Sequence, residues 1–153
     1  MKWVTLCGVA LACATLSLAS AKTKDAPSDR DALQGAWKLT GRVMRGEAQP
    51  VDGDAARRLV FEGDRFRMCR GDELLFDGTV KVNAGATPRT IDATIDKSNE
   101  EAELSGKTSL GIYELKGDEL KWCAARPGIA DRPADFSGKG DEQLLVTFKR
   151  EAK

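Results

Sequence analysis

The residue types that most enzymes use to move protons are thin in this chain. It contains no histidine, which removes the commonest general base, the usual serine-hydrolase triad and most zinc sites. Carboxylates can work in pairs without histidine, as in glycoside hydrolysis, and the chain has 24 acidic residues. Most of these fall in turns or on the polar side of alternating segments, where solvated faces and hairpin turns are their expected roles. A carboxylate hydrolase would need two of them facing each other across a cleft. No Gly-rich phosphate loop, nucleophile elbow or EF-hand loop is present. Asp52-Gly53-Asp54 could touch calcium but is read as a turn and helix cap. Arg70-Gly71-Asp72 spells an adhesion tripeptide, yet Gly-Asp is a recurring turn element of this chain. No catalytic residue, metal site or cofactor is predicted.

Two other groups could act on a ligand. Arg126, Pro127, Arg132, Pro133 and Asp135 crowd one irregular stretch. Either the arginines pin the loop, for example to Asp131 or Asp135, or their planar forks form a binding lip for an anionic group. Cys69 and Cys123 each sit on the polar parity of an alternating segment. A bridge between neighbouring strands and independent packing as small apolar residues both stand.

Short strands must position these groups. Period-2 patterns recur at Trp37, Leu39 and Val43; Leu59 and Phe61; Phe66 and Met68; Leu74 to Val82; Ile91 to Ile95; Thr108 to Ile112; Leu120 and Trp122; and Leu144 to Phe148. About eight closely spaced strands predict an all-β antiparallel barrel or sandwich. Gly-Asp precedes strand-like runs at Gly63-Asp64, Gly71-Asp72, Gly117-Asp118 and Gly140-Asp141, a pair suited to tight hairpins. One short helix is expected through Ala55–Arg58, capped by Asp52 or Asp54. Residues 97–106 suit an exposed loop or hairpin tip, and 126–140 an ordered irregular crossing before the last strand.

The N-terminus reads as an address. Met1-Lys2 is followed by an apolar run to Leu18 and by Ala19-Ser20-Ala21, the form of a cleavable signal peptide over 1–21; an uncleaved membrane anchor is the other reading. Ala10-Leu11-Ala12 before Cys13 weakly resembles a lipoprotein box. Residues 22–31 are expected to be a flexible leader, and 32–151 the domain. Basic and acidic residues are equal at 24 each, and removal of 1–21 takes only Lys2, so charge gives no case for nucleic acid. The expected mature protein is periplasmic or extracellular, without a membrane span, and a monomer.

Two blocks carry a resemblance. Leu33-Gln34-Gly35-Ala36-Trp37-Lys38 with Leu59–Asp64 (LVFEGD), and Leu110–Phe136 (LGIYELKGDELKWCAARPGIADRPADF), resemble a family of exported lipocalin-like domains of uncharacterised function, abundant in planctomycete bacteria. The resemblance covers Ala32 to Glu151. It implies an up-and-down, calycin-type barrel in which Trp37, entered through Gly35, plugs the floor and Arg150 packs over it. A Thr-Asp-Tyr-type second lipocalin motif is missing. The implied function is non-enzymatic binding of a small apolar or amphipathic ligand, with Phe66, Met68, Phe76, Tyr113 and Trp122 lining the pocket and Arg126 and Arg132 at its rim. The alternative is a filled barrel acting as a protein-interaction or envelope module.

Overall fold

The computed structural model describes residues 28–51 and 57–152. Within them run nine strands: β1 (Gly35–Met44), β2 (Glu47–Ala48), β3 (Arg57–Glu62), β4 (Arg65–Arg70), β5 (Glu73–Asn83), β6 (Thr90–Ser98), β7 (Thr108–Lys116), β8 (Glu119–Ala125) and β9 (Gln143–Arg150). A short helix, α1 (Asp29–Leu33), precedes them, and a 3-10 turn at Ala102–Leu104 joins β6 to β7. From β3 to β9 each strand pairs with the next. β1 pairs with β3 on one side and with β9 on the other. Eight antiparallel strands therefore close on themselves in the up-and-down order of a lipocalin-like barrel, and β2 is a two-residue addition to the far end of β1. Closure leaves these eight without the open edges that invite aggregation.

The hairpins follow from local chemistry. Gly63, Gly71 and Gly117 have φ of 65°, 57° and 56°, each first in a two-residue turn before Asp. That is where a II′ hairpin needs glycine. Gly140-Asp141 differs, because it leads from the β8–β9 crossing into β9 rather than joining a hairpin. The turn between β1 and β2 carried no Gly-Asp signal. There Arg45 and Gly46 both take positive φ, the I′ arrangement.

The core fills one end of the barrel. Trp37, Leu59, Leu120 and Phe148 are fully buried, with Phe61, Phe66 and Tyr113 nearly so. Trp37 and Arg150 are directly paired across the β1–β9 seam. The guanidinium carbon of Arg150 lies 4.2 Å from the centroid of the Trp37 ring, within cation–π range. Arg150 also donates to the carbonyls of Gln34 (2.8 Å) and Ala32, while Trp37 Nε1 donates to that of Leu33 at 2.8 Å. These carbonyls end helix α1, where backbone acceptors lack intrahelical partners. One clamp thus closes the seam and docks the helix under the floor.

Two expectations change. The helix lies at Asp29–Leu33, where leader and domain start were expected to meet. Ser28 caps it by accepting from Asp31 N, and its hydroxyl donates to Asp31 Oδ2 at 2.8 Å. Ser-x-x-Asp is a capping signal the sequence already carried. Of the helix expected through Ala55–Arg58, Arg57 and Arg58 instead open β3. Its remainder, Asp52-Gly53-Asp54, the signal and leader segments through Pro27, and Cys13 lie outside the described residues.

Trp37→Ala is expected to cost about 3–5 kcal/mol, and Arg150→Ala about 2–3 kcal/mol through the lost ring contact and orphaned carbonyls. Urea unfolding measures both; an unchanged midpoint for Arg150→Ala would remove the clamp.

Candidate functional site

Directly paired residues share a face of the sheet, so register assigns the barrel interior. Phe61 pairs with Phe66, Leu59 with Met68, Met68 with Phe76, and Tyr113 with Trp122. The structure therefore brings Phe66, Met68, Phe76, Tyr113 and Trp122 onto one interior wall. Phe66 and Phe76 meet edge to face at 6.1 Å, and Phe61 lies 6.5 Å from Trp122. Strand β7 turns Ser109, Gly111 and Tyr113 inward, the face expected for Tyr113, and Leu110 and Ile112 outward. Glycine at 111 is required there: a Cβ would stand 2.5 Å from Trp122 Nε1, 3.0 Å from the Cys123 carbonyl oxygen and 3.1 Å from that of Ile91.

The two polar aromatics inside differ. The Tyr113 hydroxyl donates to Asp29 of α1 at 2.6 Å, and Asp29 also holds Arg89 at 2.9 Å. Burial first, then this hydrogen bond to a carboxylate, raises the phenol well above its ordinary value of 10.0. Tyr113 thus ties the wall to the floor helix. Trp122 is 6% exposed, and its Nε1 is buried without a hydrogen-bond partner. Such a donor costs about 1–3 kcal/mol when unmet.

The arginine rim is corrected. Arg132 lies on the outer wall, bonded to the Gly111 carbonyl at 2.7 Å and to Asp92 through both carboxylate oxygens. Arg126 is half-exposed and pairs with Glu101 and Glu103 at 3.3 and 3.4 Å. Both arginines pin loops, though neither uses Asp131 or Asp135; Asp135 instead accepts from Ser137. The crossing from 126 to 142 is a strap. Gly128 N donates to the Thr108 carbonyl, Gly46 N to that of Gly138, and Arg126 N to that of Glu142. Beneath it Ile112, Cys123 and Ala125 are buried on the outer face of the sheet.

Cys123 and Cys69 are free thiols on β8 and β4, which are not neighbours, so no bridge joins them. Burial pushes the Cys123 thiol up, and a backbone hydrogen bond from Gly138 partly opposes this. Arg70 of the Arg-Gly-Asp triplet is a strand residue bonded to Glu100, an arrangement that suits structure rather than adhesion.

Three arginines that the sequence patterns did not single out face the interior. A bulge between Leu39 and Gly41 shifts the parity of β1. Val43, expected inside, turns outward opposite Leu145, and Arg42 turns inward opposite Val146, which packs against the core. Arg57 sits two residues before Leu59 and pairs with Arg70, two after Met68. The Nε atoms of Arg42, Arg57 and Arg70 are all buried, and all three side chains are engaged in polar or ring interactions. Glu100, in the β6–β7 connection, bridges two of them through one oxygen, 3.3 Å from Arg57 and 3.1 Å from Arg70. Leu104 of the same connection and Val51 pack against the core from this end. The interior is therefore apolar toward the floor and cationic toward the mouth. At the floor end a half-open cleft of about 410 Å³ lies between α1 and β5, lined by Leu33, Phe61, Val80 and Val82 with Arg30 and Lys81.

No protein-family model matches this sequence, and no curated protein matches it. Among the described residues, no three Cys, Asp or Glu side chains gather as metal ligands, and no helix is long and apolar enough to cross a membrane.

Tyr113 is the only tyrosine, so absorbance at 295 nm follows it alone. Because the folded phenol ionises above 10.0, its stabilisation is complete below that pH and is lost as pH rises past it. No phenolate is expected near pH 10, and Tyr113→Phe should flatten the alkaline fall in stability. Gly111→Ala should displace the Trp122 ring and cost about 1–3 kcal/mol, read as a changed near-UV circular dichroism spectrum and a lowered urea midpoint.

Proposed function

We propose that this chain is an exported, non-enzymatic lipocalin-like protein that binds one small amphipathic molecule inside its barrel. The observation that carries this reading is Trp122 Nε1, a buried hydrogen-bond donor without a partner on the interior wall. A barrel serving only as scaffold gains nothing from an unmet donor, and a hydrophobic ring of similar size would be cheaper there. A bound molecule with an acceptor oxygen satisfies it, and the neighbouring Phe61, 6.5 Å from the Trp122 ring, supplies apolar contact. Eight strands make a barrel that either fills with side chains or holds one small ligand. The export assignment rests on the N-terminal pattern of residues 1–21. The resemblance to exported lipocalin-like domains agrees with both.

The test uses Prodan, a neutral naphthalene dye with one ketone acceptor. Saturable one-to-one binding with a blue-shifted emission is expected. Trp122→Phe should weaken it about three- to tenfold, the worth of one hydrogen bond, while leaving stability within about 1 kcal/mol. Absence of saturable binding to the wild-type chain would sink the reading and favour a filled interaction module.

A further inference from the structure

The barrel strands are unequal in length, and at the floor end β5 outruns its neighbour β4. We infer that the cleft between α1 and β5 is a docking site for an extended peptide segment of a partner protein, which adds as a strand to the edge of β5 and carries alternating apolar residues and an acidic one. The inference does not depend on a ligand inside the barrel.

Strand lengths supply the first support. The β4–β5 ladder begins with Arg65 opposite Thr79, but β5 continues to Asn83. Residues 80–83 pair with β6 on one side and meet no strand on the other. In an antiparallel ladder each residue turns its N–H and C=O to one neighbour, and the next residue turns to the other. Ile95 turns toward β7, donating to the Lys107 carbonyl and accepting from Gly106 N. Ala93 and Ile91 share its parity, so their β5 partners Val80 and Val82 turn away from β6. Val80 N accordingly donates to the Asp64 carbonyl in the β3–β4 turn at 2.7 Å. The Val80 carbonyl and the N–H and carbonyl of Val82 face the same way, beyond that turn. They form a short bonding edge inside an otherwise closed sheet.

The second support is the opposite wall. Gln34, at the end of α1, exchanges two hydrogen bonds with Gly63, and Asp29 at its start holds Tyr113 and Arg89. The helix is therefore fixed across from β5. The half-open cleft between them, about 410 Å³, has an apolar base of Leu33, Phe61, Val80 and Val82. A strand laid along β5 turns every second side chain onto that base. Strand addition works in this way: backbone bonds supply affinity, and contacts to alternate side chains supply specificity.

The third support is charge. Arg30 lines the cleft, and among the described residues it is the arginine whose side chain has no polar or ring partner. Lys81 also lines the cleft, and the only lining carboxylate is Asp64. The surplus of positive charge favours an acidic segment. A lysine can also guard an edge against stray pairing. Lys81, however, alternates with the inward Val80 and Val82 and lies opposite Asp92 on the outer face, which leaves the bonding edge open.

The test selects random heptapeptides by mRNA display on the immobilised full chain, then titrates the best binder by fluorescence anisotropy. Selected sequences should alternate apolar and polar residues and include an acidic one. N-methylation of one peptide amide at a time should weaken binding about threefold or more at alternate positions and spare those between, because an added strand bonds through one edge. Arg30→Gln should weaken binding about two- to fivefold, as expected for one exposed ion pair. Val82→Pro removes an N–H that faces the cleft, at an edge position that proline tolerates, and should weaken it about threefold or more. The methylation scan decides the matter even where Val82→Pro fails to fold. Recovery of no binder, or tolerance of every N-methylation, would overturn strand addition. Binding unchanged by Arg30→Gln would overturn the acidic chemistry of the partner. A concentration-dependent dimer in sedimentation, abolished by Val82→Pro, would replace the partner with a second copy of this chain. Prodan binding should be unaffected by the selected peptide, so failure of either reading leaves the other standing.

Discussion

The seam between the first and last strands is the contact on which the rest of the molecule depends. A meander of eight strands is an open sheet until β1 meets β9, and only the closed form has an inside. At that seam Trp37 and Arg150 stand opposite each other, and the guanidinium covers the indole face. The same arginine and the same indole N–H also collect the terminal carbonyls of α1. Closure of the barrel, burial of one of its largest core side chains and docking of helix α1 are therefore one event. A second tie reinforces it from the wall, since Tyr113 reaches Asp29 of that helix.

Closure sorts the interior into two chemistries. Near the floor, ring against ring leaves little that is polar. Toward the mouth the inward positions pass to arginine on β1, β3 and β4. Three arginines with buried Nε atoms, all engaged in further interactions, lie there above an apolar wall that carries the unmet Trp122 donor. The outer wall shows how differently arginine behaves when its task is structural. There Arg132 is bound to Asp92 and a backbone carbonyl and holds the strap over Ile112 and Cys123.

Much of the architecture was legible along the chain. The eight alternating runs are the eight barrel strands, because a strand buried on one face writes its period into the sequence. The Gly-Asp turns at Gly63, Gly71 and Gly117 were legible because a positive φ demands glycine. The capping pair Ser28 and Asp31 was equally visible but lay in a stretch whose charge and proline suggested a leader. Parity was harder. In β7 the alternation of Leu110 and Ile112 with Gly111 and Tyr113 did not by itself name the inner face, since the strap gives Ile112 a second apolar environment outside the barrel.

The sequence by itself determined about eight strands, the antiparallel class and three of the hairpins, and the family resemblance implied the packing of Arg150 over Trp37. Each of these follows from local backbone demands, from burial of one face, or from a motif. Only the tertiary structure decided which arginines look inward. A single bulged residue between Leu39 and Gly41 reverses every side chain beyond it, turning Val43 out and Arg42 in. Nothing in the local sequence marks that extra residue, because a bulge is a mismatch between two strands and exists only once both are paired.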